Sequence, residues 1–358
     1  MKTSGLKKIL FSVSAALAVC IIAACNSYEV ILIGDVHYTE EALHLDLKNR
    51  HNEIQYAVKT NVDAWQGDIP VILKMAADYA NEKSAVAFTV QLGDFVEGLH
   101  GNYDLHKKAV TRSLAKVSAG HEKPVYFVKG NHDSWGNGGT DGCYDVLLPY
   151  MAKYQELKHS PIPNRHAANY TMKLNGDLYI FYDWDISFIL KALKENPDVR
   201  YTFLISHIPL LPCDNGNFAN WVISGDPALR KELLKLMAER NAIVLAAHTH
   251  RTSLFRYTRT DGTITQFTSY SRVKKLTDRF KENTEKDGNI YFTEKYSRFH
   301  QNIQPLIADL FHNHYEPFTY FDMAGGFNVL KVNDRGVYVD IYGGNLKKPL
   351  KTVTLIEK

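Results

Sequence analysis

The sequence predicts a layered α/β core, and three observations carry that reading. Continuous apolar runs recur at residues 30–33, 86–92, 125–128, 201–205 and 243–247, as expected of strands buried on both faces. Helical patterns separate the first of these runs. Segments of alternating polarity follow near residues 170–174, 178–182, 263–268, 329–332 and 337–341, which suits hairpin-like strands added late to the same core.

The helices are signalled as follows. Asp68 with Pro70 opens an apolar-periodic segment to about Asn81, and residues 105–117 form another. Asp226-Pro227 is a start signal, with Asp at the cap and Pro at the first helical position, for a helix to about Arg240. Two stretches read as insertions on the core, about 38–67 and about 274–323. The second is rich in Phe, Tyr, His and Lys and reads as a packed surface subdomain or as a lid. With 45% hydrophobic and 23% charged residues among 358, the chain has a globular composition, so disorder is not expected.

The N-terminus stands apart. Lys2, Lys7 and Lys8 precede an uncharged stretch from Ile9 to Cys25, the pattern of an export signal, and it is short for a stable spanning helix. It ends Ile22-Ala23-Ala24-Cys25, which resembles the lipobox of bacterial lipoproteins. The resemblance implies a signal peptide over residues 1–24, acylation of Cys25, and a mature chain 25–358 held on a membrane in the cell envelope, outside the cytoplasm. An uncleaved anchor, or a plain signal peptide with an incidental cysteine, are the alternatives. Removing the three leader lysines leaves 39 basic against 39 acidic residues, so the basic excess belongs to the leader and no nucleic-acid binding is expected. Of the four cysteines, Cys20 lies in the leader and Cys25 is the lipid site; Cys143 and Cys213 either pair or are separate buried thiols.

The chemistry sits where the apolar runs end. The first run ends in Gly34-Asp35-Val36-His37, the second in Gly93-Asp94, and the third in Gly130-Asn131-His132-Asp133. The fourth ends in Ser206-His207 and the fifth in Ala247-His248-Thr249-His250. Side chains placed just after strand C-termini converge on the crevice where α/β proteins bind ligands, and glycine before three of the groups is expected to let the chain turn there. A mixed set of carboxylate, imidazole and amide oxygen suits Mn, Fe or Zn better than Ca or Mg. Six or seven such groups are too many for one four-coordinate zinc, and the count suits two metals sharing one carboxylate.

The order GD-x-H, GD, GNHD, H, x-H-x-H over residues 34–250 resembles the calcineurin-like metallophosphoesterase superfamily. The resemblance implies a four-layer α/β/β/α sandwich and two divalent transition metals, Mn, Fe or Zn. By position it implies that Asp35, His37 and His250 hold one metal, that Asn131, His207 and His248 hold the other, and that Asp94 bridges them. His132 would stand beside the metals as proton donor, with Asp133 orienting it. The implied reaction is hydrolysis of a phosphomonoester or phosphodiester by hydroxide held between the metals. A lipoprotein that binds metal or a phosphorylated ligand without turnover is the alternative; a binder would not need His132 and Asp133. Two departures stand out: Ala247 where the family has glycine, and Tyr38 where it often has glycine, a ring expected to line the pocket. Purple acid phosphatases place a tyrosine three residues after the bridging aspartate. Here Glu97 stands instead, read as a helix-start or surface acid, so no tyrosinate-to-iron colour band is expected. Tyr38, His100, His106, Trp135 and Arg251 are candidate substrate contacts.

Overall fold

The computed structural model describes residues 27–153, 168–211, 226–277, 279–285, 318–323, 325–344 and 348–358. The expected leader, Cys25, Cys213 and residues 286–317 of the second expected insertion lie outside these. In chain order the elements begin β1 (Tyr28–Ile33), α1 (Asn52–Gln66), α2 (Ile69–Glu82), β2 (Val86–Gln91), α3 (Tyr103–Val117), β3 (Val125–Phe127) and α4 (Gly139–Met151). Next come β4 (Tyr170–Leu174), β5 (Asp177–Phe181), α5 (Ile186–Glu195), β6 (Thr202–Ile205), α6 (Pro227–Glu239) and β7 (Ile243–Ala246). The chain closes with β8 (Thr252–Arg259), β9 (Gly262–Thr268), β10 (Phe280–Glu285), β11 (Phe318–Met323), β12 (Gly326–Asn333), β13 (Gly336–Gly343) and β14 (Lys351–Glu357).

The strands form two mixed sheets. One runs β14-β13-β12-β1-β2-β3, the other β10-β11-β8-β9-β7-β6-β5-β4. In the first, β1, β2 and β3 are parallel and β12 joins β1 antiparallel. In the second, β5, β6, β7 and β9 are parallel.

Side-chain alternation along the second sheet makes the layers. Tyr179, Phe203, Ile205 and Leu245 pack with Val30, Leu32 and Val90 of the first sheet, in one core that also takes Ile72 of α2, Val110 of α3 and Leu147 of α4. The intervening residues Ile180, Leu204 and Val244 face the other way, under Leu193 of α5 and Met237 of α6. Successive strand residues point to opposite faces, so a strand buried on both is apolar throughout. Helices therefore cover the outer faces of two stacked sheets, the four-layer sandwich expected. Each such side chain removed from water is worth roughly 1.5–3 kcal/mol, which holds the strand ends firmly in place.

Local signals match where capping is explicit. Asp226 Oδ1 accepts from the Ala228 N–H at 2.7 Å ahead of α6, and Asn102 Oδ1 accepts from the Leu105 N–H at 2.9 Å ahead of α3. Asp68 differs: its carboxylate makes no bond to α2 and instead accepts from the Leu276 N–H at 2.6 Å. α1 lies within the first expected insertion and packs on the body, with Trp65 Nε1 donating to the Val36 carbonyl at 2.8 Å. Cys143 is buried in α4. Among the described residues no helix is long and apolar enough to cross a membrane.

Candidate metal centre

All five ligand-bearing loops leave the C-terminal ends of parallel strands: β1, β2 and β3 in one sheet, β6 and β7 in the other. The loops after β1 and β2 are tied together, with the His37 N–H donating to the Asp94 carbonyl at 2.8 Å. Across the sheets, Ser271 Oγ accepts from the Gly34 N–H at 3.1 Å and Asn328 Nδ2 donates to Ser269 Oγ at 2.6 Å.

The sharp bends fall on the ligands themselves. Asp35, His37, Asp94, His248 and His250 all take left-handed φ, between 43° and 68°. Asp and His tolerate that region better than most residues, at a cost of roughly 1–2 kcal/mol each. Of the preceding glycines only Gly93 is left-handed, with φ +92°, and a Cβ there would stand 2.6 Å from the His207 ring. Gly130 serves close approach instead: a Cβ there would overlap Asp94 Oδ1. The expectation that all three glycines provide the turn is thus corrected.

The side chains gather as two clusters. In the first, His37 Nε2 faces His250 Nε2 at 3.0 Å, and His250 Nε2 lies 4.0 Å from Asp35 Oδ1. Asp35 is fully buried, and both its oxygens accept from the His248 N–H, at 3.0 and 3.1 Å. Burial still pushes its pKa up to about 7. In the second cluster, His207 Nε2 lies 3.1 Å from Asp94 Oδ2, 3.2 Å from Asn131 Oδ1 and 3.1 Å from His248 Nδ1.

The protonation of His207 follows from its other nitrogen. Nδ1 stands 2.8 Å from the Leu92 carbonyl, which can only accept, so Nδ1 carries the proton. A neutral His207 then points a bare Nε2 lone pair at a carboxylate oxygen, an amide oxygen and a second imidazole nitrogen. With His248 Nδ1 unprotonated as well, such a ring of electron pairs suits a cation at its centre. Burial pulls His207 down, but Asp94 outweighs it and sets the pKa near 9, so a proton takes that place when no cation does. Metal–nitrogen bonds of about 2.0–2.1 Å put neighbouring ligand atoms about 3 Å apart, the spacing seen around His207 and between His37 and His250, with Asp35 standing wider at 4.0 Å. The residues present fit a pair of transition metals.

Asp94 Oδ2 lies between the clusters, 3.1 Å from His207 Nε2 and 3.7 Å from His37 Nε2. Its Oδ1 accepts from the His132 N–H at 2.9 Å. His132 stands at the side of the site with its ring edge-on to His37, centroids 4.7 Å apart. Its Nδ1 donates to the Glu97 carbonyl at 2.6 Å, which leaves Nε2 as the nitrogen available to a bound ester. Asp133 was expected to orient His132, but its carboxylate is turned away. It accepts from the N–H groups of Asp94, Val96 and Gly130 at 2.9, 2.9 and 2.6 Å, and so fixes the loops that carry the ligands.

Glu97, read from sequence as a surface or helix-start acid, is buried, with Oε2 3.0 Å from His37 Nδ1. Its place three residues after Asp94 was the available signal. Among the expected substrate contacts, Tyr38, His100 and His106 are buried. The Tyr38 ring packs on Trp65 and its hydroxyl bonds Glu40, so it does not line the metal site. Trp135 is half exposed and stands edge-on to His132 at 4.8 Å. Arg251 lies over the Tyr320 ring at 5.3 Å, in a cavity of about 350 Å³ that also reaches His250.

Comparison with known proteins identifies the family and the fold. The family model described as calcineurin-like phosphoesterase matches residues 28–252. A purple acid phosphatase from yellow lupin (Lupinus luteus) seeds superposes with TM-score 0.51 at 12% identity, over 92% of this chain and 53% of the lupin chain. This chain thus spans about half the lupin protein's length. The structure of PhoD gives TM-score 0.52 at 11% identity, over 92% of this chain and 68% of that one. A dimetal phosphatase from Danio rerio gives TM-score 0.48 at 13% identity, over 92% and 99%. No curated protein gives a significant sequence match.

Proposed function

The chain belongs to the calcineurin-like phosphoesterase family, hydrolases of phosphoric ester bonds, and from that premise we propose a dinuclear, lipid-anchored phosphomono- or phosphodiesterase of the cell envelope. The observation that carries the dinuclear reading is Asp94 Oδ2, which faces His207 of one cluster and His37 of the other. Asp35, His37 and His250 would hold one cation and Asn131, His207 and His248 the other, with Asp94 able to serve both. Mn, Fe or Zn suits these donors. Bound there, two divalent cations acidify water towards hydroxide at neutral pH and neutralise charge on the phosphoryl oxygens.

The remaining work falls to this chain's own groups. In its protonated form His132 keeps the Nδ1 proton on the Glu97 carbonyl and presents a second proton, on Nε2, to the leaving oxygen, which it protonates or stabilises, itself becoming neutral imidazole. Asp133 holds Asp94, Val96 and Gly130 by their N–H groups and so keeps the two loops in register.

Turnover of an aryl phosphate and of the corresponding diester, with added Mn²⁺, tests the reading and separates monoesterase from diesterase. Metal binding without turnover of either would favour a non-catalytic binding protein. Anchoring is supported by the basic start and the uncharged run ending at Cys25. Cys25→Ser should release the protein from membranes or block maturation, whereas an unchanged membrane fraction with an intact leader would favour a simple helical anchor.

A further inference from the structure

We propose that Glu97 is a positioning residue that fixes the ring of His37, so that one of the two cation sites depends on it and the other does not. This rests on the metal-centre reading above.

His37 has two ring nitrogens and they face different things. Nε2 looks into the ligand cluster, 3.0 Å from His250 Nε2 and 3.7 Å from Asp94 Oδ2. Nδ1 looks the other way, 3.0 Å from Glu97 Oε2. The carboxylate oxygen is close but out of line for a formed hydrogen bond; because it only accepts, it favours the proton on Nδ1 and leaves the Nε2 lone pair for the cation. Glu97 therefore stands behind the ligand, not in the ligand set. A carboxylate behind a ligating histidine sets its tautomer and orientation and raises its basicity.

Glu97 is itself held. Asn61 Nδ2, from the buried face of α1, donates to the same Oε2. The Glu97 N–H donates to the Tyr38 carbonyl at 3.1 Å, next to the bridge between Tyr38 and Val96. With only 3% of its surface exposed, the carboxylate has little water to solvate it, and a buried carboxylate left unpaired is costly. The segment that looked like an insertion thus reaches the metal centre through three side chains in line: Asn61, Glu97 and His37. The His207 cluster receives no contact from Glu97; its orienting group is the Leu92 carbonyl.

The test is equilibrium dialysis of the full chain against a range of free Mn²⁺ concentrations, with bound metal measured by elemental analysis. The wild type should take up two ions. Glu97→Ala should weaken one of the two binding steps by about 10–100-fold and leave the other in place. Glu97→Gln keeps the volume and an acceptor oxygen, and Asn61 can turn its unpartnered Oδ1 towards the new amide, so its loss should be several-fold and confined to the same step. A Gln isotherm superimposing on the wild type's, or both steps weakening together in either variant, would overturn the proposal. Wild-type protein that binds two ions and hydrolyses no ester would sink the proposed function and leave this inference standing. Wild-type protein that takes up no metal would sink both.

Discussion

His207 Nε2 lies 3.1 Å from Asp94 Oδ2, and the two residues come from different sheets: Asp94 follows β2 and His207 follows β6. The cation pair would therefore bind the two halves of the sandwich as well as the substrate. Asp94→Asn keeps the shape and removes the shared charge. At an effective dielectric near 20, one unit charge 4 Å from another is worth about 4 kcal/mol, so metal affinity should fall by about 100-fold or more, and hydrolysis with it. Elemental analysis after dialysis against dilute Mn²⁺ checks this. Full metal content in the variant would show that Asp94 does not bridge.

His132 lies outside the two proposed ligand sets, although it stands within reach of His37 and Glu97, so His132→Ala should retain both metals. The rate should fall by about 10²–10⁴ for an alkyl phosphate and by clearly less for a nitrophenyl ester, whose leaving group needs no proton. Equal losses for both substrates would mean that His132 positions the phosphoryl group instead.

Gly93 has φ +92° and its missing Cβ leaves room for the His207 ring. Gly93→Ala should displace that ring and strain the backbone, at a cost of about 1–3 kcal/mol. The cation held by Asn131, His207 and His248 should be the one lost. Unchanged metal stoichiometry with an unchanged unfolding midpoint would contradict the geometry.

His106 offers a pH test outside the ligand set. It is 1% exposed, its Nε2–H donates to the Asp133 carbonyl at 2.7 Å, and burial depresses its pKa to about 4. The unfolded chain takes up that proton near the ordinary value of about 6.5. Between these two pH values the unfolded state binds more protons, so stability falls as pH drops, by about 3 kcal/mol in all from this group. His106→Gln keeps a donor for the carbonyl and should flatten that dependence. Urea unfolding of metal-free protein at pH 7, 5.5 and 4.5 measures it, and equal slopes in wild type and variant would rule the effect out.

The candidate ligand positions were legible because each follows on an apolar run, where chain order alone places chemistry at a strand end. Asp35, Asp94 and Asn131 come after β1, β2 and β3, and His207 after β6. What the sequence hid depends on tertiary contacts. α1 buries only Val58, Asn61 and Ala64, too sparse a stripe to mark a helix, and its cap is the ring of His51. α4 contains Gly139, Gly142 and Pro149, all poor helix formers, and is held by packing of Cys143, Leu147 and Met151. Asp133 looked like a partner for its neighbour His132, yet three backbone N–H groups, of Asp94, Val96 and Gly130, claimed it. Glu97 could be weighed only once Asn61, 36 residues earlier, was brought against it. β11 extends the second sheet by pairing to β8, and β10 by pairing to β11, registers that no local pattern announces.

The left-handed backbone at Asp35, His37, Asp94, His248 and His250 puts selection for robustness at odds with selection for activity. Glycine at any of these positions would relax the main chain, and each such glycine would delete a donor atom. A mutant library sorted only for heat resistance in the presence of a chelator should therefore enrich glycine in place of these residues. The same library sorted for ester hydrolysis should purge it. The stability optimum and the functional optimum of this fold thus lie apart in sequence, separated at the very residues that define its chemistry.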